Sequence, residues 1–228
     1  MANSCHDSLV TLTDPRSPIA EAYRGLRTNL EFSSLDHPLK TLLVTSAAPE
    51  EGKSTILANL AVTIAQAGKR VILVDCDLRR PSLHQIFGVD EELGLTSMVV
   101  DDEALAAPPL RETGVPGLQL LSGGPLPPNP SDILGSRRME EIIRLLADRA
   151  DMVMFDAPPV IAVTDAVVLA SRVDGVLLVI SAGKTKREHV QRARDLLNKV
   201  NARLVGAVLN NVELDMSLRR YYARGTSE

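Results

Sequence analysis

The sequence predicts an α/β fold, a doubly wound and mostly parallel sheet with helices on both faces. Three observations lead there. Short aliphatic runs recur at Thr41–Thr45, Val71–Asp75, Leu118–Leu121, Met152–Asp156, Val176–Ser181 and Leu204–Asn210, and continuous apolar runs of this length read as strands buried on both faces. Helical patterns at Ser54–Ala67, Arg137–Ala150, Asp165–Ser171 and Lys186–Val200 separate most of them. Strand and helix in alternation imply parallel pairing through right-handed crossovers. The acidic and Gly-bearing motifs stand at the C-terminal ends of the runs, along the edge where such sheets bind ligands.

The chain has 228 residues, 45% of them hydrophobic, enough for one substantial core and one domain. Aromatics are only 3% and Trp is absent, so the core is aliphatic. The formal net charge of −4 argues against a sequence-independent nucleic-acid binder, and no nucleic-acid partner is expected. Cys5 and Cys76 are far apart and lack metal-ligand spacing, so they read as free thiols of a reducing cytosol. The four histidines are scattered and suggest no zinc site. The N-terminus is polar, without a signal-peptide core, and no apolar run approaches the ~18 residues that cross a bilayer. A cytoplasmic protein is expected, reaching the membrane through a partner. Residues 18–33 form a separate helix before the first strand. Asp101–Pro116 looks like loop, and the proline-rich Ser122–Pro130 excludes a helix or central strand. Beyond Asn211 a polar segment of about 212–228 reads as a mobile tail.

The segment Ala47-Ala-Pro49-Glu50-Glu51-Gly52-Lys53-Ser54-Thr55 follows a strand and opens a helix, the context that gives a phosphate-binding P-loop its meaning. Successive backbone N–H groups of the loop after Pro49, through Glu50, Glu51 and Gly52, and the helix N-terminus favour phosphate oxygens. Lys53 can reach the β- and γ-phosphates of ATP, and the Ser54 hydroxyl can ligate Mg2+. Thr55 is placed for the α-phosphate, and Gly52 lets the backbone come close. Ala47 stands where the first Gly usually sits, and Glu50 where many such loops carry Gly. A positive φ at Glu50 would cost roughly 1 kcal/mol, and its carboxylate would repel phosphate unless it pointed to solvent.

The second apolar run ends in Asp75-Cys76-Asp77-Leu78-Arg79-Arg80-Pro81, the fourth in Phe155-Asp156-Ala157-Pro158-Pro159. Carboxylates at strand ends beside a P-loop hold magnesium or accept a proton from a nucleophile. Asn210, after the sixth run, is a candidate adenine contact or a plain turn and capping residue.

These motifs, with Glu21-Ala-Tyr-Arg24-Gly-Leu-Arg27 ahead of the P-loop, resemble the bacterial tyrosine kinases (BY-kinases) of capsule and exopolysaccharide synthesis, P-loop relatives of Min/Par-type ATPases. The resemblance runs from about Ile19 to Asn211. It implies an ATP- and Mg2+-dependent protein-tyrosine autokinase with Asp75 as base for the tyrosine hydroxyl and Asp77 and Asp156 serving magnesium. Glu21, Arg24 and Arg27 match the family's ExxRxxR assembly motif and would join subunits into a homo-oligomeric ring. Residues three apart stay within ~120° on a helix, a face able to pair with a neighbour. The family's C-terminal tyrosine cluster is represented by Tyr221 and Tyr222, phosphorylated in trans. The implied partners are a transmembrane polysaccharide co-polymerase that activates the kinase and a cognate tyrosine phosphatase. Starting at its own Met without a span, the chain resembles the split form of the family, with the cytoplasmic piece of a fused form as the alternative. Two other functions compete: a Min/Par-type switch ATPase, whose early P-loop lysine is replaced here by Ala47 and Ala48, and a non-catalytic nucleotide-gated scaffold.

Overall fold

The chain alternates between strands that need both faces covered and helices that cover them. A computed structural model describes residues 8–213; Cys5, Tyr221 and Tyr222 lie outside the described residues. In chain order the elements are α1 (Val10–Thr13), α2 (Pro18–Ser33), β1 (Thr41–Ser46), α3 (Lys53–Gln66), β2 (Val71–Asp75), α4 (Leu83–Phe87), α5 (Leu95–Val100) and α6 (Asp102–Ala106). They continue with β3 (Arg111–Glu112), β4 (Leu118–Leu121), α7 (Pro130–Gly135), α8 (Arg137–Arg149), β5 (Met152–Asp156), α9 (Asp165–Ala170), β6 (Gly175–Ser181), α10 (Arg187–Lys199) and β7 (Leu204–Asn210).

The strands form one seven-stranded sheet in the order β3-β4-β2-β5-β1-β6-β7. All pairings are parallel except β3 with β4, so the doubly wound, mostly parallel fold is the one observed. Side chains along a strand alternate between faces, and the two cores follow that alternation. Leu43, Ile72, Val74, Val153 and Phe155 pack on the face of α8. Leu42, Val44, Val71, Leu73 and Met154 pack on the face of α3. Helix α3 reads Ile-Leu-Ala-Asn-Leu-Ala-Val-Thr-Ile-Ala through its middle and is buried all round, as a helix without a polar face must be. Its one internal amide is satisfied. Asn59 accepts from the Thr11 N–H at 3.1 Å and its hydroxyl at 2.9 Å, and donates to the Ser8 and Thr55 carbonyls. This network docks α1 on α3.

Helix α2 starts at Pro18, with the Ser17 hydroxyl accepting from the Ala20 N–H, a Ser cap ahead of an N-terminal Pro. It packs on α3, where the Arg27 Nη1 donates to the Thr63 carbonyl at 3.0 Å.

One stretch departs from expectation. Asp101–Pro116 contains helix α6 and the edge strand β3. The Asp101 side chain accepts from the Glu103 N–H, and Asp102 and Glu103 lie in the first turn; such a cap and its negative charge favour a helix start. The two residues of β3 add an antiparallel edge to β4. Residues 122–129 are irregular, and Pro130 opens α7 at its first turn. Among the described residues, no helix is long and apolar enough to cross a membrane.

Candidate active site

Parallel pairing brings the motif-bearing strand ends together. In register, Asp75 of β2 lies opposite Asp156 of β5, and Asp156 lies opposite Val44 of β1. The loop leaving β1 therefore begins beside both carboxylates.

That loop is held from behind. The Ala47 N–H donates to the Val179 carbonyl at 3.3 Å, and the Ser46 hydroxyl to the Ala48 carbonyl at 2.7 Å. Ala47 is not among the positive-φ residues, so it has no need of glycine, whereas Glu50 (φ 60°) and Gly52 (φ 85°) are left-handed. The expected strain at Glu50 is real, and its side chain takes the tolerable direction. It is exposed and lies 3.6 Å from the Lys184 ammonium. Gly52 is required twice over, by its φ and because a Cβ there would strike the Asn210 amide. Glu51 differs from its neighbour. Only 2% exposed, it accepts from the Ala48 N–H at 3.0 Å and from the Thr185 hydroxyl. Its carbonyl accepts from the Asn210 Nδ2 at 2.9 Å. Pro49 is exposed. The N–H groups of Glu50, Glu51, Gly52 and Lys53 find no acceptor among the described residues.

Lys53 opens α3 with Ser54 and Thr55. Its Nζ lies 2.9 Å from Asp77 Oδ2 and 3.3 Å from Asp156 Oδ1. The Ser54 hydroxyl donates to Asp156 Oδ2 at 2.5 Å. Burial works against the ammonium, yet the charges of Asp156 and Asp77 hold the Lys53 pKa above its ordinary value. Asp156 is fully buried, and desolvation lifts its pKa despite Lys53 and Ser54. Asp75 is also fully buried. Desolvation and the Asp156 charge push it up to about 7, against the N–H groups of Leu83 and Ser82. Those groups donate to Asp75 Oδ2 at 3.0 and 2.8 Å, and the Asp77 N–H to Oδ1 at 3.2 Å. Cys76 points into the α8-side core, where burial raises its thiol pKa.

Asp77 and Asp156 thus flank one ammonium, with Asp75 opposite Asp156 on the next strand, a local excess of acidic groups that suits a cation. Among the described residues, no group of three His, Cys, Asp or Glu is arranged to hold a metal. Two carboxylates and a hydroxyl at a P-loop match instead the sparse protein donor set of magnesium, which fills its sphere with waters and phosphates. The donor chemistry therefore fits MgATP.

Sequence reasoning missed a neighbouring cluster. Arg79 donates to the buried Asp165 through Nε at 2.8 Å and Nη2 at 3.2 Å, and the Ser131 hydroxyl donates to the same carboxylate. Desolvation of Asp165 is outweighed by these donors, so its pKa lies below the usual value. The only sequence signal was Asp165 at the start of a helix, indistinguishable from a cap.

The remaining candidates are elsewhere. Glu21 and Arg24 pair at 2.7 Å on α2, and Arg24 also donates to the Pro15 carbonyl. Asn210 ends β7 against the P-loop backbone.

Comparison with known proteins agrees with this geometry. A family model described as ParA, an NUBPL iron-transfer P-loop NTPase, matches residues 39–218. The tyrosine-protein kinase YwqD of Bacillus subtilis (strain 168) is 42% identical over 91% of this chain and 87% of its own. The putative tyrosine-protein kinase CapB of Staphylococcus aureus is 38% identical over 92% of each. The crystal structure of the chimerical protein CapA2B2 superposes with a TM-score of 0.86 at 36% identity, covering 91% of both chains. The chain belongs to the bacterial protein-tyrosine kinase family, enzymes built on a ParA-type P-loop NTPase fold.

Proposed function

We propose that the chain is an ATP-dependent tyrosine autokinase that regulates capsular or exopolysaccharide synthesis and export, working at the inner face of the plasma membrane. The observation that supports it best is the convergence of Lys53, Asp77 and Asp156 within 3.3 Å contacts, beside the buried Asp75.

The residues divide the work. The unpartnered N–H groups of the P-loop and Lys53 bind the phosphates. Ser54, Asp77 and Asp156 would hold magnesium, which supplies charge neutralisation on the β- and γ-oxygens. Asn210, already on the P-loop backbone, would border the adenine of a bound nucleotide. A tyrosine phenol with its ordinary pKa of ~10 is protonated at neutral pH and needs a base. Asp75 takes that proton as the phenol oxygen bonds to the γ-phosphorus and the bond to the β,γ-bridging oxygen breaks. Asp75 has a raised pKa for this task, close to the operating pH that favours general bases.

The acceptors in this reading are Tyr221 and Tyr222 of a neighbouring copy in a ring, followed by dephosphorylation by a cognate phosphatase. A transmembrane polysaccharide co-polymerase recruits and activates the kinase; a similar protein solved as a chimera named CapA2B2 supports looking for such a partner. Each phosphate adds about −1.5 to −2 charges, so a labelled tail is repelled by the aspartate-lined site.

The test mixes Lys53→Met, tail intact, with a chain whose Tyr221 and Tyr222 are both Phe, in ATP and magnesium. Phosphotyrosine on the Lys53→Met protein is the expected result. Labelling of wild type alone, with none on that protein, would refute the trans mechanism. Assembly is tested separately by light scattering of Glu21→Ala/Arg24→Ala, which should shift to smaller species. Arg27 is left in place because it donates to Thr63 within the chain. A wild type that is monomeric under every phosphorylation and nucleotide condition would remove the ring from the reading.

A further inference from the structure

The P-loop combines a strained residue with open N–H groups, and something must hold it in that shape. Glu50 is a non-glycine residue at φ 60°, a conformation that persists only where surrounding contacts over-determine it. The loop's own contacts are few. The neighbouring segment between β6 and α10, residues 182–186, supplies the rest.

Thr185 sits there in a fixed orientation. Its Oγ1 accepts from the Ser181 N–H at 2.9 Å, so its proton is free to go to the Glu51 carboxylate. The other Glu51 oxygen accepts from the Ala48 N–H. Glu51 thus ties the two ends of the loop's bend together and fastens both to the β6–α10 turn. One residue away, Lys184 pairs with Glu50. On the opposite side Asn210 holds the Glu51 carbonyl, and Asn211 donates to the Ser181 hydroxyl at 2.9 Å. The Glu51 side chain is therefore engaged with protein and buried, while the N–H groups around it stay open.

We propose that Thr185 is a positioning residue for the nucleotide: its hydroxyl locks the buried Glu51 carboxylate and so presets the P-loop backbone for phosphate. The inference rests on the P-loop reading of Pro49–Thr55. Presetting lowers the cost of ordering the loop when phosphate binds, so its loss raises the nucleotide dissociation constant and KM for ATP, with a smaller change in kcat. It also predicts that Thr185 and Glu51 act as one unit, since cutting either side opens the same lock.

The experiment measures binding of a fluorescent ADP with magnesium to the full chain, beside steady-state kinetics and nucleotide-free melting. Thr185→Val should weaken binding about tenfold, the scale of one hydrogen bond to a charged group. KM should rise with it, while the nucleotide-free melting temperature falls by several degrees as the buried Ser181 N–H loses its acceptor. Thr185→Ser, which restores the hydroxyl, should recover most of the affinity. Glu51→Ala should lose a similar factor, and the double variant should be no worse than the weaker single. Should Thr185→Val fail to fold, Thr185→Ala and Glu51→Ala give the same reading. Wild-type affinity in Thr185→Val, or independent losses that multiply in the double variant, would overturn the inference. So would a fall in kcat and melting temperature with KM unchanged, the mark of a purely structural residue. A wild type that binds no nucleotide would overturn the P-loop reading and this inference together.

Discussion

Two loops leave the ends of β1 and β2, the strands on either side of β5, at the same edge of the sheet, and they are built in opposite ways. The loop after β1 keeps the N–H groups of Glu50 to Lys53 open and is braced from outside by Val179, Thr185 and Asn210. The loop after β2 consumes its own N–H groups. Asp75 accepts from Asp77, Ser82 and Leu83, and Asp77 from Arg80. An open loop is a ready anion site, and a self-satisfied one fixes the direction of its carboxylates. The edge thus offers donors from one side and acceptors from the other, the two halves needed to hold MgATP.

The sharpest way to break this comparison is to remove the residue that spans it. Lys53 belongs to the first loop but contacts the second motif through Asp77 and β5 through Asp156. Lys53→Met should lower autophosphorylation at least ~100-fold, the scale of losing a transition-state charge partner, while circular dichroism shows the fold retained. Labelling at the wild-type rate would show that the assigned site is not where phosphate is transferred.

Asp75 is the corresponding test of the second loop. Asp75→Asn keeps one acceptor oxygen for the α4 N–H groups but cannot take a proton, so turnover should fall roughly 100- to 10,000-fold. A pH dependence accompanies it. The folded pKa of Asp75 is raised to about 7 from an unfolded value of ~3.9, so the folded state binds the extra proton between them. Stability of the nucleotide-free protein is then fully present below about pH 4 for this group and declines as pH rises through about 7. Urea midpoints across that range should fall in wild type and fall less in Asp75→Asn. Parallel slopes in the two proteins would mean that Asp75 is not the titrating group.

The two loops were also unequally legible. Local pattern exposes strands and the residues at their ends, so the aliphatic runs ending at Asp75, Asp156 and Asn210 stop where β2, β5 and β7 stop. Gly52-Lys-Ser-Thr between strand and helix marked the P-loop. What holds the loop was invisible, because Thr185 is 134 positions from Glu51 and Asn210 is 159. The same applies to Arg79 and Asp165, 86 apart. No local pattern encodes contacts that exist only after distant segments have come together on the sheet. Helix α6 was hidden differently, because five residues are too few for a helical period to show.

The smallest effect concerns Glu50, where the braced loop bears a strain that the self-satisfied loop avoids. Its left-handed φ costs roughly 1 kcal/mol in a residue with a Cβ. Its ion pair with Lys184 joins two exposed side chains and is worth about 0–1 kcal/mol. Replacing Glu50 by Gly removes the strain and the pair together, and Gly loses about 0.5–1 kcal/mol through greater freedom in the unfolded chain. The net change in stability should stay within about 1 kcal/mol of zero. Nucleotide affinity should nonetheless improve, because a carboxylate leaves the vicinity of the phosphates. Glu50→Gln separates the causes, since it removes the charge but keeps the Cβ and the strain. If charge is the obstacle, both variants bind fluorescent ADP more tightly than wild type, and more so at low salt, where the repulsion is least screened. If only Glu50→Gly gains affinity, backbone strain rather than charge limits the loop. A loss of affinity in both would show that the Glu50–Lys184 pair is part of the brace, placing Lys184 beside Thr185 among the residues that hold the loop open.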